Sequence, residues 1–107
     1  MAATILIVDD EPEVSETLAD IVSLDGHEVE TAHSGHLALR ALAHRSFDVI
    51  LCDLFMPGMT GVELYLQVAE RCPGLKRRIA FVTGGVARLD IASFLEKIPN
   101  PVLDKPV

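Results

Sequence analysis

Three stretches of the chain are apolar at nearly every position: Thr4-Ile5-Leu6-Ile7-Val8, Phe47-Asp48-Val49-Ile50-Leu51-Cys52 and Ile79-Ala80-Phe81-Val82. Such runs mark strands buried on both faces, as in a parallel sheet. From His27 to Ala32 the charges of Glu28 and Glu30 alternate with Val29 and Thr31, which predicts a weaker strand at an edge. Pro101-Val102-Leu103 predicts a last short strand. Between the strands the apolar positions change to helical spacing. Val14, Leu18, Ile21 and Val22 follow Pro12, a residue suited to a first helical turn, and Asp25-Gly26 closes that helix. Leu37, Leu39, Ala41 and Leu42 follow Ser34-Gly35. Val62, Leu64, Tyr65, Leu66, Val68 and Ala69 lead to a stop near Cys72-Pro73-Gly74. Leu89, Ile91, Ala92, Phe94, Leu95 and Ile98 form a short fourth helix. Strand and helix alternate throughout, so the predicted class is α/β with a parallel sheet.

Composition narrows the possibilities. The 107 residues fit one domain, and 50% apolar residues are enough for a core. The formal net charge of -7 argues against direct binding to a nucleic-acid backbone. The absence of Trp and the scarcity of aromatics argue against stacking on single strands. No apolar run approaches the ~20 residues of a membrane helix, and the first residues show no basic segment leading into an apolar stretch and a cleavage site. These features predict a cytoplasmic domain with no membrane contact. Cys52 reads as a buried structural thiol, and Cys52 with Cys72 makes neither a disulfide framework nor a zinc site. His27, His33, His36 and His44 read as solvated surface residues. Lys76-Arg77-Arg78 reads as a solvated loop.

The chemistry collects at the strand ends. In an open α/β sheet, ligands bind beyond the carboxyl ends of the strands. Asp9-Asp10 follows the first strand, Asp53 the third, Thr83 the fourth and Asp104-Lys105 the fifth. Three close carboxylates repel one another unless a cation joins them. Magnesium takes oxygen ligands and is held by one or two carboxylates with phosphate oxygens. Gly84-Gly85 leaves room for a small anion, and a lysine opposite supplies a point charge. The set suits phosphoryl transfer to a carboxylate. Asp9-Asp10-Glu11-Pro12 read alone would cap a helix, and Asp53 alone would form a turn.

Taken together, Asp9-Asp10, Asp53, the Met56-Pro57-Gly58 turn with Gly61, Thr83 and Lys105-Pro106 resemble the receiver domain of two-component response regulators. The resemblance runs from near residue 4 to 107, as one receiver domain over 1–107. It implies a doubly wound, flavodoxin-like, five-stranded parallel sheet of order 2-1-3-4-5. It also implies that Asp53 takes a phosphoryl group from the phosphohistidine of a histidine kinase or histidine phosphotransfer domain and then switches a binding surface. Asp10, Asp53 and the backbone carbonyl of Phe55 would bind Mg2+ directly, and Asp9 through water. Thr83 would hydrogen-bond the phosphoryl group and carry the switch, Lys105 would contact the acceptor, and the bond before Pro106 would be cis.

Two departures stand out. Val102 occupies the place of the family's aromatic switch residue, and the family's fifth helix is missing. The stretch Phe94–Pro101 leading into Lys105-Pro106 looks like the receivers of hybrid sensor histidine kinases. Without the helix, apolar side chains of the first helix and the fourth and fifth strands should lie open. The expectation is a polypeptide that continues past Val107 or a homodimer through that face. Two other classes were weighed. An aspartyl-phosphate phosphatase of the dehalogenase type needs a second Asp two residues after the first, where this chain has Phe55. A receiver-like interaction domain that is never phosphorylated would not need the full polar set. With no nucleotide-binding glycine loop, the chain is not a kinase by itself. Its expected activity is limited to taking up and losing its own phosphoryl group.

Overall fold

The computed structural model describes residues 3–56, 58–83 and 89–104. Strands β1 (Thr4–Val8), β2 (Glu28–Ala32), β3 (Val49–Asp53), β4 (Ile79–Thr83) and β5 (Val102–Asp104) alternate with helices α1 (Pro12–Ser23), α2 (Gly35–His44), α3 (Gly61–Arg71) and α4 (Leu89–Glu96). The five strands form one parallel sheet of order β2-β1-β3-β4-β5. Val8 lies in register with Ala32 and Cys52, Asp53 with Val82, and Thr83 with Asp104. The carboxyl ends of all five strands therefore finish along one rim.

The pleat divides the apolar residues between two cores. Leu6, Val8, Ile50, Cys52, Ile79 and Phe81 face α2 and α3, represented by Ala38, Leu64, Tyr65 and Val68. Phe94, Leu95 and Ile98 pack on the edge of this core, at half-buried positions. On the other face Ile5 and Ile7 meet Leu18 of α1, with Val14, Val22, Val49 and Leu51 partly covered. The first core is much the larger.

Helix starts follow local chemistry. Ser34 caps α2 by accepting the Leu37 N–H at 3.1 Å. Thr60 and Glu63 form a reciprocal capping box at the start of α3, which satisfies two otherwise orphaned N–H groups. Pro12 occupies the first turn of α1, as the sequence predicts.

Several sequence expectations need correction. All five residues of β4 are buried, so the expected opening does not extend to that strand; it is paired on both sides, and Ala80 and Val82 are short. Among the described residues, Ile21 and Leu24, in and just after α1, are exposed, as is Val102 at the sheet edge, on the face it shares with Phe81. The basic run is not an open loop: Pro73–Arg78 form a 3-10 turn. Arg78 donates to the Phe47 carbonyl at 2.9 Å, and Asn100 donates to the carbonyls of Lys76 and Ile79, both at 2.7 Å. The histidines keep their expected surface places, His33, His36 and His44 exposed and His27 half-buried, and two of them also have protein partners. His27 Nδ1 accepts the Ala3 N–H at 2.9 Å, and His33 Nε2 lies 3.3 Å from Ser15 Oγ.

Candidate functional site

Asp9 follows the last residue of β1, and its N–H continues the ladder to the Ala32 carbonyl at 3.1 Å. Its side chain is almost wholly buried. The chain then turns sharply into α1, and the Glu11 N–H donates to Asp9 Oδ1 at 2.9 Å. Glu11 holds the N-cap position of α1, yet its side chain makes no capping bond. Its carboxylate instead joins the rim.

Asp53 is the last residue of β3 and is also buried. The strand is held to β4 beyond it by the Leu54 N–H to the Val82 carbonyl, at 3.1 Å. The Phe55 N–H donates back to Asp53 Oδ1 at 3.2 Å, which fixes one carboxylate oxygen. The following loop returns to its own start, where Gly61 N–H donates to the Leu54 carbonyl at 3.0 Å. Gly61 has to be glycine for close approach: a Cβ there would lie 2.6 Å from the Asp53 carbonyl oxygen and 2.9 Å from Leu54 Cα. Gly58 has a φ of +81°, a left-handed conformation that glycine adopts at no steric cost.

Asp9, Asp10, Glu11 and Asp53 can each place one carboxylate oxygen so that all lie within 4.8 Å of one another. Four carboxylates this close are mutually unfavourable without a cation. The donor set is all oxygen, which fits a hard divalent ion rather than a thiophilic one. Cys52 lies beside Asp53 in sequence, but burial, then the charges of Asp53 and Asp9, push its thiol far above its ordinary range. It is not a member of the acidic group. Among the described residues, no histidine joins the group.

Of the residues singled out from the sequence, the structure brings Asp9, Asp10 and Asp53 together. Thr83 ends β4 on the same rim, fully buried. Val102 begins β5, in register with Phe81. Phe55 has an exposed side chain and follows Asp53 by two residues. Pro57, Gly84, Gly85, Lys105 and Pro106 lie outside the described residues. Glu11 is the member that sequence reasoning missed. The signal was its place directly after Asp9-Asp10, which was assigned to the positive end of the helix.

A family model described as the response regulator receiver domain matches residues 5–107. The chain is similar to the response regulator protein FleR of Pseudomonas aeruginosa, at 36% identity over 88 residues, covering 82% of this chain and 19% of FleR. It is similar to the sensor histidine kinase RcsC of Salmonella typhimurium, at 33% identity, covering 96% of this chain and 11% of RcsC. Among solved structures, the chemotaxis protein CheY4 of Vibrio cholerae superimposes with a TM-score of 0.87 at 30% identity, covering 100% of this chain and 89% of that one. The chain thus spans less than a third of the length of the curated relatives it matches. Sequence match, strand order and the acidic rim agree: the chain belongs to the response regulator receiver domain family.

Proposed function

We propose that Asp53 is the phosphoacceptor of this receiver. The observation that carries the reading is the gathering of Asp9, Asp10, Glu11 and Asp53 within 4.8 Å at the strand ends. A carboxylate oxygen of Asp53 attacks the phosphorus of a phosphohistidine. The new P–O bond forms as the P–N bond breaks, and the released imidazole takes a proton. The Phe55 N–H on Asp53 Oδ1 orients the carboxylate.

Asp10, Asp53 and the Phe55 carbonyl would hold Mg2+, with Asp9 acting through water. The ion supplies charge neutralisation for the carboxylates and the incoming phosphoryl oxygens. Thr83 donates to the transferred group and carries the switch, and Lys105 contacts the acceptor or its phosphate. The donor is a histidine kinase or a histidine phosphotransfer domain. Whether the domain serves a response regulator or a hybrid histidine kinase, the compartment we propose for it is the cytoplasm. A second copy docked on the α1 side of the sheet is the other partner, supported by exposed Ile21 and Leu24.

The test is intact mass after incubation with acetyl phosphate and magnesium. One phosphoryl group is expected on the parent chain and none on Asp53→Asn, whose amide is not a competent nucleophile. Stable phosphorylation of Asp53→Asn would refute the assignment.

A further inference from the structure

Where the family places an aromatic switch residue, this chain has Val102, a short, branched side chain that is 38% exposed. It lies in register with Phe81 of β4. A valine has no ring to turn, so a signal arising at Thr83 needs another carrier. The larger core contains one.

Ile79, Phe81 and Thr83 alternate along β4 and so point to one face. That face belongs to the core containing α3. Phe81 is fully buried there. Its ring meets Tyr65 of α3, with centroids 6.0 Å apart and planes at 49°. Tyr65 in turn meets Phe94 of α4 edge to face, with centroids 5.5 Å apart and planes at 79°. Tyr65, itself buried, thus stands between the strand that ends in Thr83 and the helix that follows it in sequence. Phe94 is half-buried, at the edge of this core.

Aromatic pairs of this kind favour a few discrete geometries, offset or edge to face. In a close-packed core, one ring cannot turn while its neighbours stay fixed. A small shift of β4 at Thr83 therefore reaches α4 as a change in ring packing. We propose that the Phe81–Tyr65–Phe94 stack is the conformational relay from the phosphorylation site to α4, with Tyr65 as the positioning residue that replaces the absent aromatic at 102. The relay rests on the assignment of Asp53 as phosphoacceptor.

The composition supplies a direct probe. Tyr65 is the only tyrosine and there is no tryptophan, so intrinsic tyrosine fluorescence reports on this ring alone. Beryllium fluoride with magnesium, a tetrahedral phosphoryl mimic, is expected to change that emission in the parent and leave it unchanged in Asp53→Asn. Amide exchange over residues 89–98 is measured on the same samples, and phosphoryl uptake from acetyl phosphate is followed by intact mass. Tyr65→Leu is expected to take up the phosphoryl group as the parent does while its exchange response over 89–98 falls at least threefold. Tyr65→Phe keeps the ring and should keep the response. Phe94→Leu, at a half-buried position and so milder for folding, should lose the response like Tyr65→Leu. A full response at 89–98 in Phe94→Leu or Tyr65→Leu, or no emission change in the parent, overturns the relay. A parent that takes up no phosphoryl group overturns the phosphoacceptor assignment instead, and the mass measurement separates the two failures.

Discussion

Gly61→Ala sets two effects of opposite sign against each other. Gly61 opens α3, where alanine is the better helix former by up to ~1 kcal/mol. Its backbone is not in the left-handed region, so alanine has no conformational penalty there. The packing opposes this. The added Cβ would lie 2.6 Å from the Asp53 carbonyl oxygen, about 0.8 Å inside an ordinary contact at 3.4 Å. The obstructing atoms are backbone, so no side chain can rotate aside. Either α3 or the end of β3 has to move. Overpacking of this kind costs ~1–3 kcal/mol. Stretching the Gly61 N–H bond to the Leu54 carbonyl costs a further ~1 kcal/mol. The net expectation is a loss of about 1–4 kcal/mol, out of the ~5–15 kcal/mol typical of a domain. Urea denaturation monitored by circular dichroism measures it. The same displacement moves the Asp53 carboxylate by several tenths of an ångström, so phosphoryl uptake from acetyl phosphate should fall at least tenfold, since misplacement by 1 Å can cost about 100-fold. A variant equal to or more stable than the parent, with unchanged uptake, would show that α3 does not rest on the Asp53 peptide and would refute the reasoning.

Other substitutions test separate parts of the structure. Cys52 holds its proton in the folded state well above the ordinary thiol pKa, because of burial and then the charges of Asp53 and Asp9. The unfolded thiol ionises above pH ~8.5, so there the unfolded state binds fewer protons and stability falls by up to ~1.4 kcal/mol per pH unit. Cys52→Ala should lack this component, as the difference between two denaturation series from pH 8 to 10 will show. Identical slopes for the two proteins would contradict it. Asn100→Ala removes the donors to the carbonyls of Lys76 and Ile79 and should cost ~1–3 kcal/mol, measured by thermal melting. Glu11→Gln removes one exposed charge from the acidic group and should weaken magnesium binding only severalfold, in line with the ~0.2–1 kcal/mol of exposed charge pairs. Asp10→Ala should weaken it more, by calorimetric titration.

The strands and most helix ends were legible because their signals are local. Thr4–Val8 needs no partner to read as a buried strand, and Pro12 and Ser34 announce their helices by chemistry confined to one turn. Asp9, Asp10 and Asp53 were found because each follows an apolar run, which fixes the end of the sheet it occupies. What escaped depends on distant contacts. Phe47, read as part of a strand, is a fully buried anchor before β3 begins. The 3-10 turn at Pro73–Arg78 has no apolar period and is held by Asn100 and Phe47, residues remote in sequence. Tyr65 read as one more apolar position of a helix; its place between Phe81 and Phe94 exists only once three elements are packed. The tightness at Gly61 is likewise set by the neighbouring peptide and leaves no mark in spacing.

The strand order also matters before the fold is complete. β1 comes first in the chain but lies inside the sheet, between two strands made later. During synthesis, Ile5-Leu6-Ile7-Val8 emerges apolar, uncharged and without a pairing partner until residues 28–32 and 49–53 have followed. Segments of this composition associate with copies of themselves while they wait. Asp9, Asp10 and Glu11 follow the segment immediately, and like charges brought together by parallel stacking would repel. The carboxylates that later gather at the rim therefore stand where gatekeeper residues do, and are expected to keep the nascent strand soluble until its neighbours arrive. Neutralising all three should lower the yield of soluble protein more than the stability of the finished domain.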